Sequence, residues 1–215
     1  MNALLRYVGT SIGKKQLIAL TGLMLCGFLG GHLAGNFLLY KGMEAFNHYA
    51  EFLSENMALP IVELGLLGIF ALHIGLACWA TWENWAARPE RYAVRENAGG
   101  RTLGSATMIY TGLLLLTFLL VHVTSFRLLE NEDPNGVFGM VIACFQRGGF
   151  VLFYLAALAV LGVHLSHGVQ SAFQTLGADH PNLTPAVKNG GLLFAVAVAA
   201  AFGMMPVWAH LVHGG

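Results

Sequence analysis

LIALTGLMLCGFLGGHLAGNFLLY, residues 17–40, runs for 24 residues without a charged side chain. A helix rises 1.5 Å per residue, so crossing a hydrocarbon core of about 30 Å takes about 20 residues. The run follows Lys14 and Lys15, as the apolar core of a signal peptide follows its basic start. It is about twice the length of such a core, and it reads as a retained span.

Four further stretches meet the same test, so the expected spans are 17–40, 57–82, 102–126, 148–177 and 189–213. Only the second contains a charge, Glu63. The connections hold the polar residues, among them RPERYAVRENAGGR at 88–101 and LENEDPNG at 129–136, and read as turns in water. The expected fold is therefore an all-α integral membrane protein, a single domain built as a bundle of five transmembrane helices. The fourth stretch, 30 residues long, exceeds what an upright helix needs and should tilt or project. The fifth contains Pro206, a source of kinking, and no central histidine, so it reads as a packing helix.

Composition agrees. The 215 residues are 56% hydrophobic and 10% charged, with a mean hydropathy of +0.65, too little polar surface to cover a soluble globule. A net charge of zero argues against nucleic-acid binding, which needs a basic face. Cys26, Cys78 and Cys144 are scattered. They are too few for a disulfide framework or a cysteine-held cluster, and without C-x-x-C-H any haem is held non-covalently.

Five spans put the termini on opposite sides. Arg6, Lys14, Lys15, Arg88, Arg91, Arg95, Arg101 and Lys188 fall on one side, against Lys41, Arg127 and Arg147 on the other. The positive-inside rule then makes the N-terminus cytoplasmic and the C-terminus external, with Glu44, Glu51, Glu55, Glu130, Glu132 and Asp133 on the outer face.

An ionisable group within a bilayer is costly and needs a partner. Four successive spans each carry a histidine. His32 lies about 16 residues from the inner start of its span and His122 about 17–20, which places both in the outer half. His73 and His164 run the other way, about 16 residues from their outer starts, and fall in the inner half. One membrane histidine ordinarily makes an interhelical hydrogen bond. Two pairs matched in depth fit bis-histidine ligation of two stacked haems, His32 with His122 and His73 with His164. His167, three residues past His164 on nearly the same face, is by spacing a rival ligand or a hydrogen-bond partner for a propionate or backbone group. Gly27, Gly31 and Gly35, with Gly30, and Gly65, Gly68, Gly75, Gly162 and Gly168 leave room for a macrocycle, or equally for a packed helix. His48, His180, His210 and His213 lie in loops or at helix ends and read as solvated.

SIGKKQLIALTGL at 11–23, HLAGN at 32–36, the FNHYAEFL loop at 46–53, HIGL at 73–76, ARPERY at 87–92, LVHVTSF at 120–126 and HLSHGVQSAFQTLG at 164–177 together resemble the single-anchor, dihaem cytochrome b family of succinate dehydrogenases and fumarate reductases. The resemblance covers most of the chain. It implies two b haems, with His32 and His122 on the outer one and His73 and His164 on the inner one, and it selects His164 over His167. It implies a bacterial cytoplasmic membrane, a flavoprotein and an iron–sulfur subunit docked on the cytoplasmic face, and electron transfer between the iron–sulfur subunit and a membrane quinone, usually menaquinone. Such three-subunit complexes can pair into dimers. Succinate and fumarate chemistry would reside in the partners. An acidic residue near the outer haem is expected to serve quinone protonation, and Glu63 is the candidate; its ordinary use is an interfacial carboxylate at a helix N-terminus. Lys14, Lys15, Arg88, Arg91 and Tyr92 could meet the inner haem's propionates or simply enforce topology. Some family members carry a glutamate two residues before the fourth-span histidine, where this chain has Gly162, so a proton route through that carboxylate is not expected here.

Two other readings remain. A cytochrome b anchor of a hydrogenase or formate dehydrogenase would have its catalytic partners outside, against acidic loops. A transporter would use the histidines for protons or a metal ion, and inverted repeats would be its signature.

Overall fold

A computed structural model describes residues 3–87 and 102–213. The protein is an all-α membrane bundle. Eight α-helices follow in order: α1 (Ala3–Val8), α2 (Ser11–Asn36), α3 (Met43–Ser54), α4 (Leu59–Ala86), α5 (Leu103–Val123), α6 (Gly136–Phe145), α7 (Gly148–Thr175) and α8 (Thr184–His213). Five of them, α2, α4, α5, α7 and α8, are long and apolar enough to cross a membrane, α2 running on through a 3-10 turn to Lys41 and α5 through a π-helical turn to Leu128.

The apolar runs locate these helices but not all their ends. α2 begins at Ser11, six residues before the expected span, because the Thr10 side chain caps it by accepting from Gly13 N. Lys14 and Lys15 therefore belong to the first turn of the helix and not to the segment before it. α4 continues past Trp82 to include Glu83, so a second charge sits on that helix. α8 starts at Thr184, five residues early. α7 ends at Thr175, and Gly177, at φ +99°, supplies the left-handed residue that lets Ala178 N reach back to Phe173 O.

Two connections expected to be loops are helical. The FNHYAEFL segment forms most of α3 and residues 136–145 form α6. Asn47 ties them together: its Nδ2 donates to Asn135 O at 2.8 Å, and its Oδ1 accepts from Phe138 N at 2.9 Å. The buried side chains Leu39, Phe46, Phe138 and Met205 then close this end of the bundle.

Within the membrane, α4, α2, α7 and α5 form a ring in that order, with α2 against α4 and α7, α5 against α7, and a lighter contact between α4 and α5. α8 packs outside the ring along α7 and against α2. It is the packing helix expected, and it continues through the buried Pro206. Small residues permit its close approach: a Cβ on Gly162 would stand 3.3 Å from Ala199 Cβ, and one on Gly191 would stand 3.3 Å from Val169. Leu64, Leu67, Leu114, Leu152 and Leu193 are exposed on the spans. In a bilayer that surface meets lipid tails as apolar as itself, so it carries no hydrophobic penalty.

Candidate functional site

Each histidine-bearing helix of the ring stands diagonally from its predicted partner, α2 from α5 and α4 from α7, and the backbones of these diagonal pairs stay apart. The four histidines lie at two levels of this ring. His32 and His122 approach with ring centres 5.8 Å apart and planes at 87°. Two imidazoles gripping one metal ion from opposite sides, with metal–nitrogen bonds of about 2 Å, would have their centres about 6 Å apart. His73 on α4 and His164 on α7 make up the second pair, each with its ring against a threonine of another ring helix.

The level of the second pair is fixed by two threonines. Thr21 Oγ1 on α2 is 3.1 Å from His73 Nδ1, and Thr111 Oγ1 on α5 is 3.0 Å from His164 Nδ1. Thr21 precedes His32 by 11 residues and Thr111 precedes His122 by 11 residues. At 1.5 Å per residue the two histidine levels are separated by about 16 Å along the bundle.

Aromatic rings enclose the His32–His122 pair. Phe28 stacks on His32 at 5.4 Å and Phe118 on His122 at 5.6 Å, each from the preceding helical turn. Phe202 of α8 lies 5.7 Å from His32, so the packing helix also lines this level. The buried Tyr154 places its hydroxyl 2.9 Å from His122 Nδ1 and stands among Phe118, Phe145 and Phe150. His32 is the least tethered of the four. Asn36 Nδ2 donates to the His32 carbonyl at 2.8 Å, but its 3.4 Å approach to Nδ1 exceeds normal hydrogen-bond length.

His167 lies one turn beyond His164. Its Nδ1 is buried with no hydrogen-bond partner among the described residues, and its Cβ lies where a side chain on Gly104 would stand. The glycines divide by use. Gly35 is packed under Tyr49 of α3, Gly168 faces Met108, and Gly27, Gly30, Gly31, Gly65, Gly68 and Gly75 have no atom of the described residues within 4 Å of a Cβ position. At Gly162 the contact with α8 fills the place where a longer side chain would begin.

Glu63 is held in a bidentate ion pair with Arg127, Oε1 to Nε at 2.6 Å and Oε2 to Nη2 at 3.1 Å, joining the start of α4 to the π-helical end of α5. Lys14 is buried, pairs with Glu83 and lies 4.5 Å over the Trp79 ring. Its ammonium is thus engaged with the protein. Arg88, Arg91, Arg95, Arg101 and Tyr92, with most of the ARPERY motif, lie outside the described residues. His210, expected to be solvated, has its Nδ1 2.9 Å from Phe145 O.

Thr21, Thr111, Tyr154 and the two stacked phenylalanines were not singled out by the sequence reading, yet a signal for most of them is there. TGLMLCGFLGGH at 21–32 and TGLLLLTFLLVH at 111–122 share Thr, Gly, Leu, Leu, Phe, Leu and His at seven matching positions, offset by 90. Gly22 and Gly112 belong to this match, and Cβ atoms on them would stand 3.2 Å and 3.6 Å from Cε1 of His73 and His164. The glycines let the imidazoles lie close against α2 and α5. The repeat runs in the same direction and not inverted, one half being α2–α4 and the other α5–α7. No protein-family model, curated protein or solved structure matches the chain.

Proposed function

We propose that this chain is the dihaem cytochrome b membrane anchor of a succinate:quinone oxidoreductase or fumarate reductase, carrying electrons between an iron–sulfur partner subunit and a membrane quinone. The observation that carries the reading is the arrangement of four histidines at two levels on diagonal helices, with the His32 and His122 ring centres 5.8 Å apart, so that both could hold one haem. Each pair offers two imidazoles, which is what a b haem asks of its protein.

The donor set fits a haem at the inner level. His73 and His164 each have Nδ1 against a hydroxyl, leaving Nε2 for the iron. His164 is the ligand of choice over His167 on this ground. At the outer level His122 is held by Tyr154, and the phenylalanine stack on each ring restricts its rotation. When bound, the two haems would supply one-electron carriage across the membrane, and the protein tunes them through ligand hydrogen bonds and burial.

The remaining assignments follow the family resemblance. The basic side, with Arg6, Lys15 and Lys188, faces the cytoplasm of a bacterial cell and receives the iron–sulfur and flavoprotein subunits. Quinone, of the menaquinone type, reacts near the outer level. Glu63 is the proposed proton-handling group there, and Arg127 holds it ready at the edge of that level. The decisive experiment is the reduced-minus-oxidised spectrum of the purified chain with haem quantification. Two b haems per chain support the proposal, and a colourless intact chain made with ample haem overturns it.

A further inference from the structure

Thr21 and Thr111 hold equivalent places in the two halves of the chain. Each has a hydroxyl whose single proton is already committed to its own helix. Thr21 Oγ1 donates to Leu17 O at 2.6 Å, with Ile18 O at 3.1 Å. Thr111 Oγ1 donates to Thr107 O at 3.1 Å or Met108 O at 3.0 Å. A carbonyl can only accept, and a hydroxyl has one proton and two lone pairs. What remains on each Oγ1 to face a histidine is therefore a lone pair.

The opposing ring nitrogen must then be the donor. His73 Nδ1–H donates to Thr21 and His164 Nδ1–H donates to Thr111. Neutral imidazole carries one proton, so both rings are fixed as the tautomer whose Nε2 lone pair is free. Gly22 and Gly112, one residue on, keep the ring edges close enough for the bonds to form. Both threonines are buried, with relative exposures of 4% and 7%, so water does not compete for these positions.

We infer that Thr21 and Thr111 are positioning residues that set the tautomer and electron-donating strength of His73 and His164 as axial ligands. The inference rests on the haem proposal and deepens it. An Nδ1–H donated to a fixed acceptor pushes electron density toward Nε2 and makes the imidazole a more basic ligand. That favours ferric over ferrous iron. The outer pair lacks this device, since His122 faces a tyrosine hydroxyl with no backbone acceptor and Asn36 approaches His32 Nδ1 only at 3.4 Å. Haems held by the two histidine pairs would consequently differ in potential.

The test uses the full chain, purified with haem, as wild type and as Thr21→Val, Thr111→Val, Thr21→Ser and Thr111→Ser. Haem stoichiometry and an optical redox titration are read, with His73→Ala identifying which titrating component is the inner one. Each valine variant is expected to move the inner component upward in potential, shifting its reduced-to-oxidised ratio by up to about tenfold, equivalent to 59 mV for one electron. The outer component should stay in place and serine should restore the wild-type value. Loss of the inner haem alone in a valine variant, with retention in the serine variant, would also support the role. The inference is overturned if haem content and both potentials are unchanged in the valine variants, if the outer component moves instead, or if serine behaves as valine does. A wild-type chain that binds no haem under the same conditions overturns the functional proposal itself and this inference with it, an outcome distinct from two haems indifferent to the threonines.

Discussion

Lys14 and Glu83 should respond unequally to neutralisation. The Lys14 side chain is 2% exposed and lies against Trp79, whereas Glu83 is 39% exposed. Two unit charges in contact at about 3 Å, with an effective dielectric constant of about 20, attract by about 5 kcal/mol. The exposed side of Glu83 is screened by solvent and head groups, which reduces the pair's value to about 2–3 kcal/mol. Glu83→Gln strands a buried ammonium, and the structure predicts a loss of about 2 kcal/mol. Lys14→Met leaves a carboxylate that can turn toward water and keeps the contact with Trp79, so it should cost less than about 1 kcal/mol. The double variant should recover most of the Glu83→Gln loss. At about 2–4 °C per kcal/mol for a chain of this size, thermal unfolding in detergent followed by circular dichroism should show a fall of about 4–8 °C for Glu83→Gln. The double variant should return to within about 3 °C of wild type. Equal effects of the two single variants, or additive losses in the double one, would refute the reasoning.

Two further predictions address packing and the Glu63–Arg127 ion pair. Gly35→Ala places a Cβ 2.6–2.9 Å from the Tyr49 hydroxyl oxygen and two of its ring carbons, so α3 must shift, at a cost of about 1–3 kcal/mol in thermal stability. Gly31→Ala meets nothing within 4 Å and should be neutral or stabilising by up to about 1 kcal/mol through helix propensity; the reverse ranking would contradict the packing described. Glu63→Gln removes an ion pair whose side chains are 39% and 61% exposed, so stability should change by less than about 1 kcal/mol. If the chain has the proposed function, quinone turnover by its complex should fall at least tenfold with haem content unchanged, and undiminished turnover would remove Glu63 from proton handling.

Hydropathy located all five membrane helices because a bilayer rewards long apolar helices and little else. It missed their ends where capping and amphipathic residues carry the helix into the interface, as Thr10 does for α2 and Glu83 for α4. It also missed α3 and α6. α3 mixes polar and apolar residues, and α6 is only 10 residues long, so neither forms a run long enough to register as a span. The four histidines were legible, since an ionisable group at membrane depth needs an explanation and counting residues gives its level. Their hydrogen-bond partners were not. A threonine in a membrane helix can satisfy its hydroxyl on its own backbone, so its type alone does not mark Thr21 or Thr111, and Tyr154 reads as one aromatic among many. The 90-residue offset between TGLMLCGFLGGH and TGLLLLTFLLVH would have exposed the threonines. A search directed at inverted topology passes over a direct repeat.

The most direct measurement is haem content and the reduced-minus-oxidised spectrum of the purified chain, with His32→Ala, His122→Ala, His73→Ala and His164→Ala beside wild type. Bis-histidine ligation at two levels predicts two b haems in wild type, loss of one component by both His32→Ala and His122→Ala, and loss of the other by both His73→Ala and His164→Ala. A wild-type chain without haem, or haem loss that couples the histidines in any other pairing, would contradict it.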